Sequence, residues 1–363
     1  MKRTFSFWER EEWMNPPDLL ITGGGIVGAS IALFYKERHP DTDILVVDKG
    51  FAPEGASTRN AGFTCIGSIS EHLADMEIAG EETVLNRIER RWHGLNLLKK
   101  TMGEETIGYE HTGGYEIFTD KKIFDECGKR IPEMNERLKE RLGIKDVYKA
   151  RIYEGYPAIF NHVEGAINSG KLMRNLHRRL AQAGVRTWWN CKVESIAKNY
   201  VKFESGFELA PENIVLATNG FSSRLADLSI KPARGFVFVT QPIKKLKWRG
   251  TFNFNKGYVY FRNVDDRLLI GGARDVAKNE ETTDQFGRNE KIRDWLISFT
   301  NDVIKLPAGW EIDIEWSGIM GFTENKEPFI GQIQPGIWAA AGLSGMGIAI
   351  GMEVARGLVE KMD

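Results

Sequence analysis

Ile21-Thr22-Gly23-Gly24-Gly25-Ile26-Val27-Gly28-Ala29-Ser30 decides the fold of this 363-residue chain. The stretch holds a G-x-G-x-x-G element. Gly23 permits the tight turn after a strand, Gly25 lets the backbone approach a pyrophosphate, and Gly28 lets the next helix pack on the sheet. The apolar run 18–22 reads as that strand, and the spacing predicts a helix from Gly28 to about Glu37. The helix N-terminus supplies unpaired N–H groups and a partial positive charge suited to phosphates, and Ile26 and Val27 of the loop join Gly23, Gly25 and Gly28 as expected cofactor contacts. Asp43-Ile44-Leu45-Val46-Val47-Asp48 reads as a second parallel strand, so residues 18–48 form one βαβ unit. It ends in Asp48, 20 residues after Gly28 (48 − 28). An acid there accepts from a ribose hydroxyl and repels a 2′-phosphate. Strand, loop, helix, strand and acid agree on a dinucleotide.

A second glycine loop follows at once: Gly55-Ala56-Ser57-Thr58-Arg59-Asn60-Ala61-Gly62. A nicotinamide-binding domain normally enters a helix at this point. Small residues and an arginine suit passage beside a pyrophosphate and the edge of a flavin, so the pair of loops selects FAD over NAD. Lys49, Ser57, Thr58, Arg59, Asn60, Ala61 and Gly62 are the expected contacts on this stretch.

Further along, helices are predicted over 81–100, 121–145 and 170–183, and strands over 113–118, 186–193 and 201–207. Residues 213–220 form a third buried strand running into a glycine turn, the shape expected where a doubly wound sheet meets its ligand. Ala217, Thr218, Asn219 and Gly220 on that turn, and Val193 before it, join the expected cofactor contacts. Residues 233–275 are β-rich, and 336–362 return to strand, glycine loop and helix. The expected fold is α/β: a Rossmann-like FAD-binding domain assembled from 1–85, 150–225 and 318–363. An inserted α+β substrate domain, built on an antiparallel sheet, takes 86–149 and 226–317.

Composition restricts the function classes. Apolar residues make up 42% and charged residues 27%, and the formal net charge is −1, which leaves no basic footprint for nucleic acid or an anionic membrane. Residues 1–17 read as an amphipathic lead-in without the apolar segment of a signal peptide, and no run is long and apolar enough for a membrane span. The three cysteines, Cys65, Cys127 and Cys191, fit no metal spacing, and a reduced cytoplasmic setting is expected. No metal is implied.

The second loop resembles the G-A-S-x-R-N-A-G element of the D-amino-acid oxidase-like superfamily of FAD-dependent oxidoreductases, which includes glycine oxidase and sarcosine oxidase. The resemblance runs along nearly the whole chain. Gly165-Ala166-Ile167-Asn168 resembles its G-x-x-D/N element, and 215–220 resembles its second FAD strand. Pro232-Ala233-Arg234-Gly235 resembles its P-x-R-G turn, and Trp316-Ser317-Gly318 with Pro328-Phe329-Ile330-Gly331 its W-x-G and P-x-I-G pair. Ala341-Gly342-Leu343-Ser344-Gly345-Met346-Gly347 resembles its terminal flavin loop. Gly318, Gly342, Ser344, Gly345, Met346, Gly347 and Ile348 therefore complete the cofactor set. The last of these open a helix whose dipole can face the flavin N1–C2=O edge and stabilise an anionic reduced flavin.

The resemblance implies oxidation of a C–N bond in a small amine or amino acid by hydride transfer to flavin N5, giving an imine that hydrolyses. Oxygen or another acceptor then takes the electrons. Tyr258, Tyr260 and Arg262, two residues apart on a predicted strand, are the expected substrate-orienting residues, with Arg262 able to hold a carboxylate. Two positions depart from the family. Met320 stands where members specific for simple amino acids place an arginine, and Leu269 where sarcosine oxidase-like members place a lysine above the flavin. No cysteine lies near 316–331 and Asn60 replaces histidine in the second loop, so a dissociable, non-covalent FAD is expected. The rival readings are an FAD-dependent 2-hydroxy-acid dehydrogenase on the same fold and a flavin-binding protein without catalysis of its own.

Overall fold

The computed structural model describes residues 5–363. The first four residues of the expected lead-in lie outside the described residues. The rest of it carries a short helix, Phe7–Glu12, capped at Ser6.

Strands Leu19–Thr22 and Ile44–Val47 are buried at every position, as near-continuous apolar runs must be when a parallel sheet is covered on both faces. They lie in a six-stranded sheet in the order Phe329–Gln334, Ile337–Ala341, Asn213–Leu216, Leu19–Thr22, Ile44–Val47, Arg186–Trp188. All neighbours are parallel except the first pair, so the chain returns to this sheet from four separate regions. Helix Ile26–Arg38 begins two residues earlier than its glycine spacing predicts, because Gly25 serves as its N-cap. The strand expected over 186–193 stops at Trp188. Residues 189–192 leave the sheet, and Val193–Ala197 starts a separate three-stranded sheet with Tyr200–Phe203 and Glu208–Leu209.

A second sheet of eight strands runs in the order Ile312–Phe322, Lys231–Thr240, Arg267–Gly272, Val259–Val264, Thr251–Phe254, Gly114–Ile117, Tyr156–Asn161, Tyr148–Tyr153. It is antiparallel except for the parallel pair Thr251–Phe254 and Gly114–Ile117. Its membership moves two expected boundaries. Residues 148–161 pair into this sheet as a hairpin, and Ile312–Phe322 stays paired with Lys231–Thr240 through its last residue. Alternation gives the sheet two faces. Phe236, Phe238, Val259, Phe261 and Ile270 pack on one side with helix Glu290–Phe299, while Val237, Val239, Leu269, Tyr260 and Trp316 gather on the other with Ala61 of the second glycine loop. The face that meets the glycine loops is thus set by the alternate residues of these strands.

Helix Glu81–Met102 crosses the C-terminal helix Gly347–Met362 closely. A Cβ on Gly94 would stand 2.1 Å from the Ala349 carbonyl oxygen, so glycine is required at the crossing. The crossing seats the first turn of the C-terminal helix, and with it the loop 342–347.

Candidate functional site

The first glycine loop is built by close approach. Gly23 has φ +101°, and a Cβ there would lie 2.7 Å from the Ala217 carbonyl oxygen. A Cβ on Gly28 would lie 2.0 Å from the Gly23 oxygen. The strand end, the helix start and the turn after Asn213–Leu216 are therefore in direct backbone contact. Helix Ile26–Arg38 has no side-chain cap. Ser57 Oγ accepts the Ile26 N–H at 2.8 Å, while the N–H groups of Val27 and Gly28 have no acceptor among the described residues. The two glycine loops therefore meet at the helix N-terminus.

Asp48 lies beside this turn. Gly24 N–H donates to its Oδ2 at 2.8 Å and Gly50 N–H to its Oδ1 at 2.9 Å. Burial pushes its carboxyl above the ordinary value, against these hydrogen bonds and the nearby Lys49 and His177. His177 Nε2 donates to the Gly24 carbonyl at 2.8 Å and its ring lies 5.0 Å from that of Trp189. Segment 188–191 runs alongside, with Cys191 N–H bonded to the Asp48 carbonyl, and Val193 follows two residues on. The Lys49 ammonium sits 3.5 Å from the centroid of Phe221, and burial followed by the nearby Arg224 lowers its pKa.

The second loop is fixed from three sides. Asn60 Nδ2 donates to the Ala56 and Ser57 carbonyls, and its Oδ1 accepts from Gly62 N–H and from Ser169 Oγ. Trp316 Nε1 donates to the Arg59 carbonyl at 3.0 Å, and the Arg59 guanidinium donates back to the Ser317 carbonyl at 3.0 Å. Thr58 Oγ1 donates to the Pro53 carbonyl. The W-x-G stretch and the arginine of the second loop are therefore one contact, with the Cβ direction of Gly318 closed by Arg59 Cβ at 3.1 Å. In the terminal loop, Asn219 Oδ1 accepts the N–H groups of Gly342 and Leu343. Gly220 packs against the Met320 carbonyl. Ser344 takes a left-handed φ of +47° and donates its N–H to Gly321. The N–H groups of Gly347 and Ile348, at the uncapped start of the last helix, have no acceptor among the described residues.

Aromatic and apolar side chains of the second sheet gather against these loops, and the face they share is called the chamber. The Tyr260 ring meets Phe63 edge-on at 5.8 Å. Its hydroxyl and the Met320 methyl both border Gly235, the latter 3.1 Å from a Cβ built there. The Met320 sulfur and the Phe322 ring edge lie 4.0 and 3.9 Å from a Cβ on Gly345. Leu269 is 7% exposed and packs with Ala61. The Tyr260 hydroxyl is pushed up to about 12 by burial.

The three expected substrate-orienting residues part company here. Tyr260 borders the chamber. Tyr258 lies one residue before strand Val259–Val264 and is 37% exposed. Arg262 is 5% exposed, and its donors go to main chain: Nη1 to Ile167 at 3.0 Å and Gly62 at 3.4 Å, Nε to Asn263 at 3.0 Å. Burial lowers its pKa. The guanidinium joins the second glycine loop to the Gly165–Ala166 segment, because its Nη1 donates to both the Gly62 and the Ile167 carbonyls.

Residues 18–361 match the family model for FAD-dependent oxidoreductases of the D-amino-acid oxidase (DAO) type. The chain belongs to this family. Its DAO-family relatives include "Probable oxidoreductase OrdL" of Haemophilus influenzae, 22% identical over 96% of this chain and 85% of that one. Among solved structures, L-proline dehydrogenase from P. horikoshii superposes with a TM-score of 0.76 at 19% identity, covering 96% of this chain and 94% of that chain. Glycine oxidase from Geobacillus kaustophilus gives a TM-score of 0.74 at 20% identity, covering 96% and 95%. At these identities the superpositions establish the fold.

FAD is the cofactor of the DAO family, and this chain's donor set suits it. Two helix N-termini offer free N–H groups, Gly25 leaves its Cβ position bare beside Ser57 Oγ (2.9 Å), and Asp48 keeps lone pairs available beside the turn. Sequence reasoning missed several residues around this candidate site. His177, Trp189, Phe221 and Phe286 wall the region around Asp48, Lys49 and Arg59, with the Arg59 guanidinium 4.7 Å from the Phe286 centroid. Phe63 and Phe322 wall the chamber. Only Phe63, next to Gly62, carried a local signal. No helix among the described residues is long and apolar enough to cross a membrane.

Proposed function

We propose that this flavoenzyme oxidises a C–N bond of a small amine or amino acid. Bound FAD supplies the two-electron acceptor, taking a hydride from the carbon beside nitrogen and leaving an imine that water hydrolyses. The N–H groups of Val27 and Gly28, with Ser57 and Thr58, would hold the pyrophosphate. Asp48 would take a ribose hydroxyl, and Gly62 with residues 342–348 would flank the ring system. The cofactor is non-covalent in this reading, since no cysteine lies within 316–331 and Cys65 is a half-buried residue whose thiol pKa is raised by burial and then by the nearby Glu164.

The observation that carries the substrate class is the chemistry of the chamber. Phe63, Tyr260, Leu269, Met320 and Phe322 include no carboxylate or imidazole, and the Tyr260 hydroxyl is pushed up to about 12. An alcohol needs a base to take its O–H proton as hydride leaves. An amine can shed its proton to solvent before it binds. These side chains therefore orient a neutral amine by packing, and of the five only Tyr260 carries a hydrogen-bonding group. Anaerobic bleaching of the flavin absorbance tests this. Bleaching by one class of amines or amino acids, with a rate that rises with pH as the amine deprotonates, is the expected result. Bleaching by 2-hydroxy acids alone would overturn it.

A further inference from the structure

Strand Arg267–Gly272 does not end in an ordinary turn. Gly272 has φ +107° and Ala273 φ +53°, two left-handed residues in succession. Glycine takes this conformation freely, but alanine there costs on the order of 1 kcal/mol. The step is held by Ala273 N–H, which donates to the Tyr258 carbonyl at 2.7 Å, and by Gly272, where a Cβ would lie 2.0 Å from the same oxygen. Its consequence is the direction of the next residue. Arg274 is turned back onto strand Ile312–Phe322, with its guanidinium carbon 4.7 Å from the centroid of the Phe322 ring. The same ring presents its edge to Gly345 of the terminal loop.

Arg274 is half-buried and has no carboxylate or carbonyl partner among the described residues. That sets it apart from the arginines around it. Arg234 is paired with buried Glu281, Arg224 with Asp284, Arg59 is bonded to the Ser317 carbonyl, and Arg262 is spent on main chain. A half-buried guanidinium resting on an aromatic face, with its N–H edge unpaired, is a ready site for a carboxylate. Meanwhile the side chains bordering Gly345 are Phe322 and Met320, 3.9 and 4.0 Å from a Cβ built there, and neither is a cation.

We propose that Arg274 binds the anionic group of the substrate, and that this group lies several bonds away from the carbon that is oxidised. The proposal rests on the amine-oxidising reading above and names its substrate class: amines carrying a remote carboxylate, rather than α-amino acids. The Phe322 ring stands between the guanidinium and the terminal loop, so a carboxylate on Arg274 is set back from the loop by about the depth of a stacked ring. A substrate whose carboxylate sits on the reacting carbon does not span that distance.

The holoenzyme tests this by titration with pentanoate, its neutral counterpart pentanamide, and acetate, followed by calorimetry and by perturbation of the flavin spectrum. The unmodified protein is expected to bind pentanoate at least about tenfold more tightly than pentanamide (roughly 1.4 kcal/mol). Arg274→Met is expected to abolish that preference, and Arg274→Lys to keep part of it, both with unchanged flavin content and melting temperature. Equal pentanoate affinity in Arg274→Met, or no preference for pentanoate in the unmodified protein, would overturn the assignment. In anaerobic bleaching, 5-aminopentanoate is expected to half-saturate below glycine and alanine, and the reverse order would overturn the remote placement. Should pentanoate binding and its loss in Arg274→Met stand while no amine bleaches the flavin, the amine-oxidising reading fails and the anion site does not.

Discussion

Replacing Arg262 by methionine separates two roles that residue spacing alone cannot distinguish. If the guanidinium clamps a substrate carboxylate, its loss raises the substrate requirement and leaves the protein otherwise intact. The structure gives it different work. Its bonds to the Ile167 and Asn263 carbonyls are both 3.0 Å, and the Gly62 contact is 3.4 Å. Glu110 lies 3.6 Å away with a side chain 57% exposed. A hydrogen bond from a charged donor contributes ~1.5–3 kcal/mol, and an exposed pair such as that with Glu110 about 0–1 kcal/mol. Removing Arg262 also removes the cost of burying a charge, which offsets part of the loss. Gly62 keeps the Ile167 N–H as a donor to its carbonyl, so the Ile167 carbonyl is the acceptor most exposed to loss. The expected net destabilisation of Arg262→Met is roughly 2–4 kcal/mol.

That destabilisation has a location. Gly62 ends the second glycine loop, and Ile167 lies in the turn that pairs with it. Loosening their junction should weaken FAD binding by about tenfold or more, given ~1.4 kcal/mol per decade. Urea unfolding of the apoprotein reads the first effect and recovery of flavin fluorescence on dilution reads the second. Unchanged unfolding midpoint and FAD affinity, with a raised KM for a carboxylate substrate, would refute the reasoning and return Arg262 to the substrate.

Asp48→Ala should weaken FAD binding more than tenfold (~1.4 kcal/mol or more), measured by fluorescence titration; equal affinity would remove Asp48 from the ribose site. Leu269→Lys should speed reoxidation of the reduced flavin by air about tenfold or more, because a cation on that face stabilises negative charge developing on oxygen; an unchanged stopped-flow rate in folded protein would place Leu269 away from the flavin. Stability should fall as pH rises from 6.5 to about 8. Burial raises Glu116 from its ordinary 4.5 to about 7 and Glu164 to about 8, so both are protonated in the folded chain where the unfolded chain ionises them. Their contribution is full below 4.5 and lost as pH rises through these values. Burial lowers His72 from 6.5 to about 4, so its contribution is lost only as pH falls below 6.5, and the carboxyls act alone above it. Glu164→Gln should flatten this limb in thermal unfolding across pH, and an unaltered slope would refute the assignment.

What could be read from the sequence divides along one physical line. Gly23 and Gly28 were legible because the constraint on each is local: a positive φ or a missing Cβ can be satisfied by one residue type, wherever the rest of the chain goes. The same holds for Asp48, whose place follows from the length of one βαβ unit. Arg262 shows the limit. Its position on a strand beside Tyr260 was legible, but its partners at Gly62 and Ile167 come from distant segments, and only the folded chain shows that they consume its donors. The hairpin over 148–161 shows a related limit: its strands are ordinary, and membership of the second sheet depends on pairing with Gly114–Ile117. The departures at 269 and 320 looked like losses when each position was compared by itself. In the fold, Leu269 and Ala61 share one apolar cluster and Met320 borders Gly345, so these positions are apolar, and Arg274, without a carboxylate or carbonyl partner among the described residues, lies on the neighbouring Phe322 ring. On the reading proposed above, a site that lacks those two cations while straining Ala273 to aim Arg274 at Phe322 has moved its anchor rather than lost it.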